Sequence, residues 1–219
     1  DKTLTNDDTT EFTVNDNNTV DSGKLKEIYL AGGCFWGLEA YMQKIKGVED
    51  AVSGYANGKT DNPSYKDLHT SGHAETVKVV YNPDMVSLEE LLEYYLRVVD
   101  PVSINKQGND TGTQYRTGVY YTNNSEKTII EKVLANEQNK YDKPIEIEVL
   151  PLQQFFIAED YHQDYLAKNP GGYCHIDLSL ADKPLSDKTI SKSNEPEIDA
   201  SKYPRPSDDE LKKQLTDEQ

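Results

Sequence analysis

Cysteine, tryptophan, methionine and positive charge are all scarce in this chain of 219 residues: two Cys, one Trp, two Met, and 23 Lys and Arg against 39 Asp and Glu, for a formal charge of -16. Each shortage excludes something. So acidic a surface repels phosphate backbones and anionic lipid, which argues against nucleic acid and membrane-surface partners. No apolar run approaches the roughly 18 residues that cross a bilayer, and no signal peptide is visible. Cys34 and Cys174 stand 140 positions apart, so neither C-x-x-C redox chemistry nor zinc-ribbon spacing applies. Histidine is also sparse, with four in all. His69 and His73 are separated by Thr70-Ser71-Gly72, which spoils a helical metal face, and no carboxylate or cysteine follows at ligand spacing, so no metal is expected.

The ends lack apolar periodicity. Residues 1–22 carry six acids against one lysine and are dense in Thr, Asn and Asp, which predicts an acidic disordered tether. From residue 177 to 206, Lys, Ser, Asp and Pro mix without a run able to form a core, as in a linker. Residues 207–219 place Ser207 three positions before Glu210 and Leu211 four before Leu215, a capped helix that starts and then stops. With Asp1 rather than Met at the start, this reads as a piece excised from a longer protein. The domain itself is expected over residues 23–176, and nothing in its pattern argues for more than a monomer.

What is present in the middle is a regular alternation of elements. Strands are expected at 26–32, 48–56, 75–82, 117–122 and 145–150, and helices at 35–45, from Ser87 to about Val98, at 125–141 and at 158–169. Ser87 followed by Glu90 is a capping box, and Leu88, Leu91, Leu92, Tyr95 and Val99 keep helical spacing behind it. The order β-α-β-β-α-β followed by α-β predicts an α+β fold, a ferredoxin-like split βαβ sandwich with a mainly antiparallel sheet and added C-terminal elements.

Within that order, Gly32-Gly33-Cys34-Phe35-Trp36-Gly37 sets one of the two thiols and the lone tryptophan where a strand ends and a helix begins. Glycines there permit a tight turn and close backbone approach. A helix N-terminus offers unpaired N–H groups and a positive dipole end, which favour a thiolate and predict a lowered Cys34 pKa. Cys34 is therefore placed as a nucleophile. Cys174, in Asn169-Pro170-Gly171-Gly172-Tyr173-Cys174, has two readings that spacing leaves open: half of a structural disulfide, or a resolving thiol that attacks an oxidised Cys34.

Two other classes share some of these features. A Cys followed shortly by Trp, with His162 and Asn169 downstream, superficially matches a papain-like cysteine hydrolase or acyl transferase, although the acidic run Glu159-Asp160-Tyr161-His162-Gln163-Asp164-Tyr165 suits a solvated helix face better. An extracellular binding module stapled by its two cysteines is the non-enzymatic alternative. Thiol titration during turnover separates it from a redox enzyme.

Several stretches together resemble the A-type peptide methionine sulfoxide reductases: Gly33 to Gly37, Asn62-Pro63-Ser64-Tyr65, Gly72-His73-Ala74-Glu75, residues 107–116 (QGNDTGTQYR), and Lys168 to Cys174, in the family's order across residues 26–176. The resemblance implies reduction of the S epimer of free and peptide-bound methionine sulfoxide, repair of oxidised proteins, no metal or organic cofactor, and recycling by thioredoxin or a similar dithiol. It also implies roles: Cys34 as nucleophile, Glu75 as acid, Tyr65 and Tyr115 as hydroxyls on the oxygen, Cys174 as resolving thiol, Phe35 and Trp36 around the substrate methyl, and Asp110 on the substrate side. Thr111 stands where several relatives have His. No further recycling cysteine follows, so the resemblance implies a direct Cys34–Cys174 disulfide. Residues 202–219 resemble the passage into a B-type reductase domain in A/B fusion proteins. The acidic tether suits an exported or membrane-anchored bacterial envelope protein.

The chemistry demands these residue types in its own right. A sulfoxide sulfur is a poor electrophile, so thiolate attack requires the oxygen to be protonated as the S–S bond forms. The acid must then stay neutral near pH 7, which burial of Glu75 among aromatics would secure. A methyl sulfoxide is half apolar, and an aromatic wall suits its methyl while polar groups face its oxygen.

Overall fold

A computed structural model describes residues 25–186; the expected tether, most of the expected linker and the C-terminal helix start lie outside the described residues. Six strands form the central sheet: β1 (Lys26–Gly32), β2 (Val48–Ala56), β3 (Ala74–Tyr81), β6 (Thr117–Tyr121), β7 (Glu148–Pro151) and β8 (Phe155–Ile157). A separate two-stranded ladder joins β4 (Lys106–Gln107) to β5 (Asp110–Thr111). The helices are α1 (Phe35–Gln43), α2 (Leu68–Ser71), α3 (Leu88–Leu96), α4 (Asn124–Gln138) and α5 (Tyr165–Lys168).

The sheet order is β7-β6-β1-β3-β2-β8. Every neighbouring pair is antiparallel except β6 and β7, which run parallel. One parallel pair makes the sheet mixed within an otherwise antiparallel order. The parallel pair follows from α4, which carries the chain from the C-terminal end of β6 back to the end where β6 begins, the crossover that a parallel neighbour needs. Alternation along β1 sends Ile28 and Leu30 into the main core with Leu38, Tyr41, Leu91, Leu92 and Ile130, and Tyr29 and Ala31 into a smaller cluster with Tyr120 on the other face.

Local signals set most boundaries. The capping box is formed: Ser87 Oγ accepts from the Glu90 N–H at 3.1 Å and Glu90 returns a bond to the Ser87 N–H at 2.8 Å. Asn123 and Glu126 make a second one at the head of α4. Two expectations are corrected here. Residues 158–169 are not one helix: a 3-10 turn (Asp160–His162) leads through extended Gln163 and left-handed Asp164 into the single turn of α5. The bonds of the Gln163 side chain to Ser53 of β2, and the bond that the Asp164 N–H donates to Glu39 of α1, outweigh the helical preference of the segment. Nor does a linker begin at 177. A 3-10 helix (Leu178–Asp182) seats Ala181 in the core, and Arg97 donates to the carbonyls of Leu180, Lys183 and Pro184.

Candidate active site

Cys34 is the residue before α1, and it is buried. Gly33, at φ +79, makes the left-handed turn between β1 and the helix, and a Cβ there would lie 2.6 Å from the Gln107 Cβ. Gln107 is fixed in turn by two bonds to Asp100, accepting from its N–H and donating to its carbonyl, each at 2.8 Å.

The sheet brings Glu75 to this turn. Ala31 of β1 pairs with Thr76 of β3, so Glu75 lies beside the end of β1, and its carboxylate accepts from the Phe35 N–H at 3.0 Å. On the other side of β1, Gly32 pairs with Thr117, which puts Tyr115 next to the same turn. Tyr115 and Tyr65 share a hydroxyl hydrogen bond, and both feel the Glu75 charge. Asp110 on β5 approaches closely enough to act on Cys34 and Glu75 electrostatically and is hydrogen-bonded to Tyr173. Thr111 is exposed beside it.

The second thiol sits against the first turn of α1. A Cβ on Gly37 would be 3.1 Å from the Cys174 sulfur, so any side chain there would press on the resolving candidate. Cys174 donates to the Ile176 carbonyl at 3.2 Å, and both cysteines are free thiols. The eight residues singled out in the sequence thus gather at this site from the β1–α1 turn itself, α1, β3, β5 and three connecting segments.

The electrostatics partly reverse expectation. Burial, and next the Glu75 carboxylate, push the Cys34 thiol up to about 12, with Asp110 adding to them. The Trp36 and Gly37 N–H groups do favour the thiolate, as a helix N-terminus should, but they are outweighed. The expected lowering of the Cys34 pKa is therefore corrected. Burial likewise pushes the Glu75 carboxyl up to about 8, against the Phe35 N–H bond that lowers it and with Asp110 raising it further. At neutral pH the site holds both a thiol and a neutral acid.

Sequence reasoning missed the walls of the site. Trp36 lies flat on Tyr165, with ring centroids 3.7 Å apart and planes 11° apart. Its indole N–H donates to His162 Nδ1 at 2.9 Å, and because an indole only donates, Nδ1 bears the lone pair and Nε2 the proton. That Nε2 faces the Glu159 carboxylate at 3.4 Å without an aligned bond. Glu159 also accepts from the Tyr55 hydroxyl at 2.7 Å and the Tyr65 N–H at 3.0 Å. His162 is buried among Phe35, Trp36, Tyr65 and Tyr161 rather than solvated. With its nitrogens turned to Trp36 and Glu159, it offers Cys34 no base of the papain kind. Asn169 is exposed and donates to the Tyr165 carbonyl. His73 is buried, one nitrogen on Ser71 and the other on Gln154. Among the described residues no group of three or more His, Cys, Asp or Glu could hold a metal ion, and no helix is long and apolar enough to cross a membrane.

A buried thiol against a buried acid, two tyrosine hydroxyls and an aromatic wall are matched by comparison with known proteins. Residues 26–194 match the peptide methionine sulfoxide reductase family. The chain belongs to that family. Among solved structures, it is similar to Mxr1 from Saccharomyces cerevisiae in reduced form, at 39% identity and a TM-score of 0.68 over 72% of this chain and 94% of that one. It is also similar to methionine sulfoxide reductase A of Corynebacterium diphtheriae, at 34% identity and a TM-score of 0.67 over 70% of this chain and 79% of that one. Its activity is the thiol-dependent reduction of methionine sulfoxide.

Proposed function

We propose that the chain reduces the S epimer of free and peptide-bound methionine sulfoxide, with Cys34 as nucleophile and Glu75 as proton donor. The observation that carries this reading is the buried Glu75 carboxyl, held neutral near pH 7 beside the buried Cys34 thiol. The substrate methyl lies against Phe35 and Trp36, Asp110 supports the substrate side, and the oxygen faces Glu75, Tyr65 and Tyr115. As the Cys34 sulfur bonds to the sulfoxide sulfur, Glu75 protonates the oxygen, and the tyrosine hydroxyls stabilise it while charge develops. The oxygen then passes to Cys34 as the S–S bond breaks, giving sulfenic acid and methionine. The thiol proton of Cys34 replaces the one that Glu75 gave. Two electrons move from the cysteine sulfur to the substrate sulfur, and no proton is gained or lost overall.

Cys174 next condenses with the sulfenic acid, forming the Cys34–Cys174 disulfide and releasing water. Its seat against Gly37, one helical turn from Cys34, supports this pairing. Thioredoxin or a similar dithiol then reduces the disulfide by exchange, with no metal or organic cofactor in any step. The test is single turnover by Cys174→Ser. One methionine per chain should form with a dimedone-reactive Cys34, whereas methionine release without an oxidised Cys34 would rule the reading out.

Three further features complete the proposal. The antiparallel order β6-β1-β3-β2, with β3 splitting β1 from β2, supports a ferredoxin-like core extended by β7 and β8. The resemblance of residues 202–219 to a fusion junction supports an origin in an A/B fusion protein with a B-type reductase domain. The acidic N-terminal composition supports an envelope location. Detection of the native chain in a membrane fraction, at a mass including a second domain, checks the last two together.

A further inference from the structure

Glu39 is a buried carboxylate that none of the steps above uses. It lies on α1, three positions after Trp36 and one turn before Gln43, and is only 1% exposed. One oxygen accepts from the Asp164 N–H at 3.0 Å and the other from the Ser53 N–H at 3.3 Å. Burial first, and then the Asp164 carboxylate, push this carboxyl up to about 7. A group so poorly accommodated is replaceable by an apolar one unless its two bonds matter.

Those bonds hold a particular turn. Asp164 adopts φ 52, a left-handed conformation unfavourable for a residue with a Cβ, and it follows Gln163, whose side chain bonds to Ser53 as a strand neighbour would, accepting at 3.0 Å and donating at 2.8 Å. Gln43 donates to the Asp164 side chain at 2.8 Å. The two groups that fix Trp36 stand on either side of this turn: His162 before it, taking the indole N–H, and Tyr165 after it, stacked on the ring. The helix that starts at the nucleophile thus reaches forward with Glu39 and Gln43 to seat the segment that returns to brace Trp36. We infer that Glu39 is a positioning residue for substrate binding, holding the Gln163–Asp164 turn so that His162 and Tyr165 lock Trp36 as the wall for the substrate methyl group.

This inference rests on the sulfoxide-reductase reading for its kinetic arm and is independent of it for its optical arm. Trp36 is the sole tryptophan, so the emission of the whole chain reports this one side chain. In Glu39→Ala, Trp36 emission should move to the red and its quenching by acrylamide should rise. The KM for a blocked S-sulfoxide should rise about tenfold while saturating single-turnover rates change less than about threefold, the pattern of lost uniform binding. Glu39→Gln keeps one acceptor for two N–H donors and should fall between native and alanine on both readouts. Gln43→Ala alters only an exposed side chain and should shift both in the same direction by less, which serves as the deciding variant if Glu39→Ala does not fold. Native emission and KM in folded Glu39→Ala, or a raised KM with native emission, would overturn the inference, as would unchanged emission in Gln43→Ala when alanine at 39 fails to fold. A native chain that reduces no sulfoxide would sink the functional reading and leave the emission result to stand or fall separately.

Discussion

Replacing Glu75 by glutamine should make this protein more stable and nearly inactive, by amounts that depend on pH in opposite directions. Glu75 is 1% exposed, and burial raises its carboxyl from 4.5 to about 8. At about 1.4 kcal/mol for each tenfold change in proton affinity, keeping the group ionised costs the fold on the order of 5 kcal/mol. Below 4.5 the carboxyl is protonated in folded and unfolded chains alike, and the cost is absent. Between 4.5 and 8 the folded chain keeps a proton that the unfolded chain releases, so stability falls as pH rises, and above 8 the whole cost is in place. Glutamine cannot ionise, and its amide oxygen can still accept from the Phe35 N–H. Urea unfolding of the reduced proteins should therefore show a stability advantage for Glu75→Gln that grows by about 1.4 kcal/mol per pH unit across this window and then levels off. Over the same range, single-turnover sulfoxide reduction by the native chain should decline above pH 8 as the acid ionises, whereas the variant should start about 10²–10⁴-fold lower, the usual loss with a general acid. A stability difference that stays flat with pH would refute the buried neutral acid, and native-like rates in the variant would refute its role as proton donor.

Two further outcomes follow from the same site. Because the Cys34 thiol is pushed up to about 12 by burial and next by Glu75, iodoacetamide should alkylate it slowly at neutral pH; above pH 8, where Glu75 ionises, Glu75→Gln should react about tenfold faster than the native chain, while below it the two should match. Equal rates at pH 9 would contradict the coupling. Gly37→Ala should leave sulfenic acid formation intact and gain about 0.5–1 kcal/mol of helix propensity, yet slow the loss of free thiols after one equivalent of sulfoxide, since a methyl group would press on the Cys174 sulfur at 3.1 Å. Thiol loss at the native rate would mean that Cys174 does not resolve from this seat.

The parts of the fold legible in the sequence were those whose signals are local. The strands expected at 26–32 and 48–56 form over those same residues, and Ser87 with Glu90 set the start of α3, because alternation and capping depend on neighbours a few positions away. The two-residue strands β4 and β5 and the three-residue β8 carry too few residues for a period to register. The parallel placement of β7 depends on where α4 packs, which no local pattern states. The eight candidate residues stand out in the sequence only as a joint pattern, and the structure gathers them at one site. His162, Glu159 and Tyr165 escaped because their acidic, helix-like run resembles a solvated face, while their partners Trp36 and Tyr65 are about a hundred positions away in the chain. The direction of the Cys34 pKa is hidden for a related reason: the helix N-terminus is visible in the sequence, whereas the desolvation and the carboxylates that outweigh it arise only from tertiary packing.

The central claim is that Cys34 reduces the S epimer of methionine sulfoxide in the Glu75 pocket. It is tested most directly by supplying separated S and R epimers of a blocked methionine sulfoxide, with dithiothreitol, to the native chain and to Cys34→Ser, and measuring methionine derivative formed. The account predicts turnover of the S epimer alone and none in Cys34→Ser. Turnover of the R epimer, or of either epimer by folded Cys34→Ser, would contradict it.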